Sequence, residues 1–271
     1  MPRTGLSSIA VGLHLDLATG SEQITGRVSD GKFTSELLAD RMVFNKTNSC
    51  PWAGKYTLVL GPAEGSGAAL PEGYGYATLT VKRTGGGKLG GLLGDGTKLK
   101  ANAPMSKYAT WPLYAGLYNK QGACIGWVII TNNTLEAVVD WFKPAIGTAR
   151  YYPSGFTNVL SMTGSKYLSE ANWPSSTTSL EVTLGGGNLS TNIVRDVTVN
   201  GAGAVTVLSP SGEKLTMKLT PKTGQFSGSF FHPVLKKTIN FRGLFLQLKD
   251  EGAGYFLGSN ESGYVTIEAA P

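Results

Sequence analysis

Apolar and polar residues alternate with period two through much of this chain. Ala77, Leu79 and Val81 interleave with Thr78, Thr80 and Lys82, and Leu215, Met217 and Leu219 with Thr216 and Lys218. Such alternation marks a strand with one buried and one wet face. Further strands are predicted over 56–60, 124–131, 180–184, 195–199, 204–208, 238–247, 254–257 and 264–268. The segments 35–41 and 137–142 fit a short helix as well as a strand.

Turn chemistry separates these runs into hairpins. Asp30-Gly31 stands between 24–29 and 32–37, and Gly94-Asp95-Gly96 between 89–93 and 97–100. Glycine reaches positive φ freely and aspartate tolerates it, so Asp-Gly is a strong hairpin signal. Gly85-Gly86-Gly87 and Gly185-Gly186-Gly187 read as further turns. They are not phosphate loops, because neither opens a helix.

Several stretches recur in the same order across the midpoint. Leu79 to Gly85 followed by Leu89 to Leu93 is answered by Met217 to Gly224 followed by Phe226 to Phe231. Tyr114 to Tyr118 is answered by Phe241 to Phe245, and Gly122 to Gly126 by Gly252 to Gly258. A repeat of this size predicts two similar domains, each with its own core. The expected fold is all-β, with two similar antiparallel β-barrel-like meander domains from an internal duplication. They are placed at 1–148 and 149–271, joined by an irregular Ser/Thr/Pro-rich connection over about 145–179.

Composition agrees with this reading. The 271 residues include 37 glycines, and only 15% are charged, which disfavours long helices. The formal net charge of +6 suits an anionic surface. No basic run or nucleic-acid motif accompanies it, so nucleic acid is not an expected partner, and the alternating lysines read as the wet face of a sheet. There is no transmembrane stretch. The chain starts abruptly in strand pattern, which suggests a piece of a longer exported polypeptide acting outside the cell or at its surface. Cys50 and Cys124 leave one disulfide open, and Cys124 equally suits a small buried hydrophobe.

Chemistry is sparse. There is no G-x-S-x-G elbow, and Ser211-Gly212-Glu213-Lys214 is a short S-x-x-K match at a turn. Two histidines, His14 and His232, cannot supply a His-rich zinc cluster. His232 lies in a predicted loop and is the better catalytic candidate. Calcium needs only oxygen ligands, and Asp250 with Glu251 is the adjacent acidic pair on a predicted turn. Trp52, Trp111 and Trp173 each neighbour a proline in irregular sequence and are the candidates for stacking on a sugar or anchoring a partner. Trp127 and Trp141 sit in apolar runs and read as core.

Trp111-Pro112-Leu113-Tyr114, Gly126-Trp127-Val128, Trp141-Phe142-Lys143-Pro144 and Tyr151-Tyr152-Pro153-Ser154-Gly155-Phe156 together resemble a repetitive β module that closes large secreted or surface proteins of environmental bacteria. Gly254-Tyr255-Phe256-Leu257-Gly258 and Ser262-Gly263 fit its C-terminal end. The resemblance implies export and a binding, adhesive or structural role. In overall likeness, without a shared residue motif, the chain also resembles metagenome-derived calcium-dependent N-acyl-homoserine lactonases that act in quorum quenching. The two resemblances imply different partners, a surface glycan or a small-molecule lactone. A binding module would use loop aromatics and the groove between the domains; a lactonase would use Ca2+ to polarise the ester.

Overall fold

The computed structural model describes residues 5, 7–17, 20–62, 69–168, 177–209 and 212–270. Among them there are strands and turns but no helix. The segments 35–41 and 137–142 are strands, as period two allows.

Strands β1 (Ala10–Leu15), β2 (Gln23–Ser29) and β3 (Thr34–Asp40) form a small antiparallel sheet. Its β2–β3 turn uses Asp30 as predicted: Oδ1 accepts from the backbone N–H of Lys32 and Phe33, and Gly31 takes φ +86°. The register puts Val11, Leu13 and Leu15 on one face with Ile24, Val28 and Leu37.

The second sheet has eight strands: β4 (Gly54–Pro62), β5 (Gly75–Val81), β6 (Gly86–Leu92), β7 (Lys98–Pro104), β8 (Thr110–Leu117), β9 (Gly122–Thr131), β10 (Thr134–Lys143) and β11 (Phe156–Lys166). The third also has eight: β12 (Thr178–Gly186), β13 (Ile193–Val199), β14 (Val205–Val207), β15 (Thr216–Thr220), β16 (Gln225–His232), β17 (Lys237–Leu246), β18 (Glu251–Leu257) and β19 (Ser262–Ala269). Each is an antiparallel meander whose first strand pairs with its last, β4 with β11 and β12 with β19. That pairing curls each sheet into a nearly closed barrel and removes most of its exposed edge.

Each barrel has one weak seam. Between β7 and β8 the Trp111 indole N–H donates to the Ala103 carbonyl at 2.9 Å. Between β14 and β15 the Leu219 N–H donates to Gly203 at 3.0 Å, beside a single Ala204–Lys218 bridge.

Inward positions fill the two interiors. Leu58, Leu79, Leu89, Trp111, Trp141 and Leu160 belong to the first core, and Val182, Val197, Phe226, Phe230, Phe241 and Phe256 to the second. Burying one large apolar side chain contributes roughly 1.5–3 kcal/mol, so each barrel carries its own hydrophobic driving force.

The domain limits differ from the sequence expectation. β11 pairs with β10 from Thr134–Ser165 to Lys143–Phe156 and with β4 from Leu160–Pro62 to Lys166–Tyr56. The first barrel therefore runs past 148, to Lys166, and residues 10–40 stand outside it as a separate sheet. The repeated stretches are also offset. In the first barrel they fall on β5, β6, β8 and β9, with β7 between; in the second they fall on the consecutive strands β15 to β18. The barrels share an architecture, while the repeat marks similar hairpins at different positions around each ring.

The barrels pack side by side. Val59 of β4 turns outward onto Leu244, Leu246 and Ala253, flanked by Tyr74 and Tyr76. Part of the expected connection is bound into this junction. Tyr152 OH accepts from the Ser262 N–H at 2.9 Å, Arg150 Nε donates to the Ser259 carbonyl at 3.0 Å, and the Tyr151 hydroxyl donates to the Gly258 carbonyl at 3.2 Å. Both cysteines are buried and free. Burial pushes the Cys124 thiol up to about 12, with the Asp140 charge adding to the effect.

Candidate functional site

The residues singled out from sequence do not converge. His232 ends β16 and is fully buried against the rings of Phe230 and Phe256. Its Nδ1 accepts from the Leu235 N–H at 3.2 Å, which leaves the proton on Nε2 to donate to the Gly187 carbonyl at 3.1 Å. Both ring nitrogens are engaged with backbone, so the ring locks two turns together and offers no free base to a substrate.

Trp111 is wholly buried and cannot stack on a ligand; its ring closes the first barrel's seam. Trp52 is half-buried, edge-on to Phe44 at 5.8 Å, and packs against the same core. Trp173 lies outside the described residues. Trp141 is core as expected, but Trp127 is not: it faces outward on β9 and is 45% exposed.

Asp250 occupies the β17–β18 turn at φ +52°, and Glu251 opens β18 with its carboxylate 3.7 Å from Lys249 Nζ. Among the described residues no three or more His, Cys, Asp or Glu side chains converge as metal ligands. Calcium at this turn would have to take most of its six to eight oxygens from carbonyls and water.

A different place gathers polar groups. The outer wall of the second barrel, across β15, β16 and β17, is laid out in rungs by the strand register. Thr216 stands opposite Ser229 and Ser229 opposite Asn240; Lys218 stands opposite Ser227 and Ser227 opposite Arg242. Period two sends these residues outward while Met217, Phe226 and Phe241 go to the core. The Thr216 and Ser229 hydroxyls lie 2.9 Å apart. Arg242 is opposite Tyr255 on β18, and Tyr255 stacks on Tyr76 of the first barrel, centroids 6.3 Å apart.

These walls border an open groove of about 730 Å³ lined by β15, β16 and β17, with Tyr76 as its one lining residue from the first barrel, within the size range of ligand sites. Its lining has hydroxyls, amides and two cations, Lys218 and Arg242, with no carboxylate. Burial pushes the Tyr76 phenol above its ordinary range, with Arg242 pulling the other way. Burial likewise raises Tyr255, to about 12. Both phenols are therefore neutral donors at neutral pH. The groove's lining residues include no carboxylate and no histidine that could pair as acid and base.

The groove expected between the domains named no residues; the groove described here lies on the second barrel's outer wall, with Tyr76 from the first. The alternation around Lys214 to Leu219 gave the outward direction of Lys218, but the lysine read as solvated. Tyr76, Ser227, Asn240 and Arg242 carried no signal in sequence, because strand pairing alone brings them together.

The fold and the groove define an all-β twin-barrel protein with a polar, cationic inter-barrel cleft. No protein-family model matches the chain, and no curated protein matches it by sequence. Among solved structures it is similar to a transferrin binding protein B from Haemophilus parasuis Hp5, a vaccine antigen solved as a double mutant. The identity is 10% and the TM-score 0.28, over 98% of this chain and 66% of that one. It is also similar to a protein of unknown function from the DUF3598 family of Nostoc punctiforme PCC 73102. There the identity is 10% and the TM-score 0.22, over 81% of this chain and 96% of that one. Scores this low carry nothing about function. Among the described residues no helix is long and apolar enough to cross a membrane.

Proposed function

We propose that this chain is a binding module that takes an anionic, hydroxyl-rich ligand, such as an acidic surface glycan, into the inter-barrel groove. The observation that supports this reading is the groove's lining: Lys218 and Arg242 set among Thr216, Ser227, Ser229 and Asn240, with no carboxylate among them. Hydroxyls and amides exchange hydrogen bonds with sugar hydroxyls, guanidinium pairs with carboxylate in a fork, and the Tyr76 edge offers an apolar ring face. A lactone-opening reaction finds no support in this geometry, because His232 is fully engaged and the groove holds no general base.

The test is calorimetric titration with polygalacturonate and, as the neutral comparison, dextran. Binding to polygalacturonate that weakens with salt, and about tenfold on Arg242→Ala, is the expected result, since one charge-assisted contact is worth roughly 1.5–3 kcal/mol. Equal binding of dextran, or no effect of Arg242→Ala, refutes the proposal.

A further inference from the structure

The outer wall of the first barrel beside the groove carries charge of one sign. Strands β4 to β9 contain no Asp or Glu. Lys88 on β6 and Lys98 and Lys100 on β7 are exposed and face outward, while Leu89, Leu99 and Ala101 go to the core. Lys100 stands diagonal to Lys88, about 7–8 Å away, and two residues along β7 from Lys98. None of the three has an ion-pair partner among the described residues. Asp95, in the turn between β6 and β7, is buried, and its two oxygens accept from the Thr97 N–H and the Tyr118 hydroxyl. A merely solvated wall mixes both signs, whereas a single-sign field draws in a ligand of the opposite sign.

This wall begins at the groove's edge. Tyr76, which lines the groove, stands opposite Leu92 on β6, and Leu92 stands opposite Lys98 on β7. Two strand spacings, about 10 Å, separate Tyr76 from Lys98. A second contact fixes the same neighbourhood. A Cβ added at Gly96, two residues before Lys98, would lie 3.6 Å from the Tyr255 hydroxyl, and Tyr255 stands opposite Arg242 of the groove. Positive charge therefore continues from Arg242 across the barrel junction to Lys98 and Lys100.

We infer that this lysine row is a second subsite for the groove's ligand, which is then a polyanionic glycan chain held along its length by both barrels. The inference rests on the groove reading above. Groove and row together cover about four strand spacings, roughly 20 Å of sheet, more than a mono- or disaccharide can touch at once. Thr78 and Thr80 on β5 and Asn102 on β7 stand on the same rungs as the lysines and offer sugar hydroxyls further partners. No aromatic ring is interleaved with the lysines on β6 and β7, so a single-stranded nucleic acid would find no stacking platform there.

Calorimetric titration of the full chain with trigalacturonate and with polygalacturonate tests this. Per sugar unit, the polymer is expected to bind at least tenfold more tightly than the trimer. The triple variant Lys88→Ala/Lys98→Ala/Lys100→Ala weakens polymer binding about tenfold, at roughly two- to threefold for each exposed charge contact. It flattens the salt dependence and changes trimer binding less than twofold. Arg242→Ala weakens both ligands. Polymer binding untouched by the triple variant, or weakened only in step with the trimer, overturns the second subsite and leaves the groove reading standing. Binding of both ligands that ignores Arg242→Ala, or no binding of either, overturns the groove reading and this one with it. A single-stranded oligonucleotide that binds more tightly than polygalacturonate assigns the wall to nucleic acid and overturns the glycan.

Discussion

The seam between β7 and β8 is where the first barrel is least hydrogen-bonded, and Trp111 holds it. A Cβ added at Gly87 would lie 2.3 Å from the indole Nε1 and 2.9 Å from Cδ1. Gly87 has no positive φ, so alanine there meets the indole and not backbone strain. Gly87→Ala therefore displaces the ring and costs about 1–3 kcal/mol, as overpacking of a filled core does. Trp111→Phe removes one donor to the Ala103 carbonyl, about 0.5–1.5 kcal/mol, since Gly87 still stands opposite it in the β6–β7 ladder, with a further cost for the missing ring volume. The smaller phenyl gives the new methyl room to sit. The double variant Gly87→Ala/Trp111→Phe is thus less destabilised than the sum of the singles by about 1 kcal/mol or more.

Urea unfolding followed by tryptophan fluorescence measures this directly. Trp52, Trp111, Trp127 and Trp141 all belong to the first barrel or its ends, and no tryptophan occurs in 177–271. With Trp173 replaced by Phe in every variant, the signal follows the first barrel even where the two barrels unfold separately. Costs that add to within 0.5 kcal/mol refute the idea that Gly87 exists to seat the indole.

Three other outcomes are expected. The Cys124 thiol is held up to about 12 in the folded state against an ordinary 9.0, so the native protein keeps a proton that the unfolded chain releases. Stability falls as pH rises through that window, by about 1 kcal/mol between pH 9 and 10, and thermal melts of Cys124→Ala lack that part of the slope. His232→Ala leaves the Gly187 carbonyl and the Leu235 N–H without their partner and opens a cavity beside Phe230 and Phe256. A loss of about 2–5 kcal/mol is expected in calorimetric melting of the second barrel, and an unchanged melt contradicts the locking role. Tyr152→Phe deletes the hydroxyl that joins the 144–155 loop to Ser262. It costs about 1–3 kcal/mol and separates the melting of the two barrels; a single unsplit transition at the wild-type temperature speaks against that role.

What could be read from sequence was local. The Asp30-Gly31 and Gly94-Asp95-Gly96 turns depend on side chains reaching their own backbone two residues on, and both formed. Period two gave the faces of β5 and β15, where one side is apolar and the other polar. It failed on β9. There Cys124, Val128 and Ile130 go inward while Ile125, Trp127 and Ile129 go outward, so both faces are apolar and parity has no marker. Trp127 therefore read as core, and the exposed wall around it was invisible.

What could not be read depends on closure. β11 belongs to the first barrel because it pairs with β4 about a hundred residues earlier in the chain, and no local pattern records that partner. The cationic groove depends on the same event. Arg242 reaches Tyr76 only because β17 and β18 pack on β4 and β5 through Leu244, Ala253 and Val59. Lys218 illustrates the difference between direction and destination. Its alternation with Met217 and Leu219 dictates that it leaves the core, and that much is local physics. Whether it then meets water or a ligand is decided by the wall beside it, built from Ser227 and Arg242 on neighbouring strands. In a meander barrel the inward set of side chains is written along each strand, while the outward set acquires meaning only across strands. The recognition surface of this protein is therefore a product of register, and a one-residue slip of β16 would turn Ser227 and Ser229 into the core and dismantle the groove.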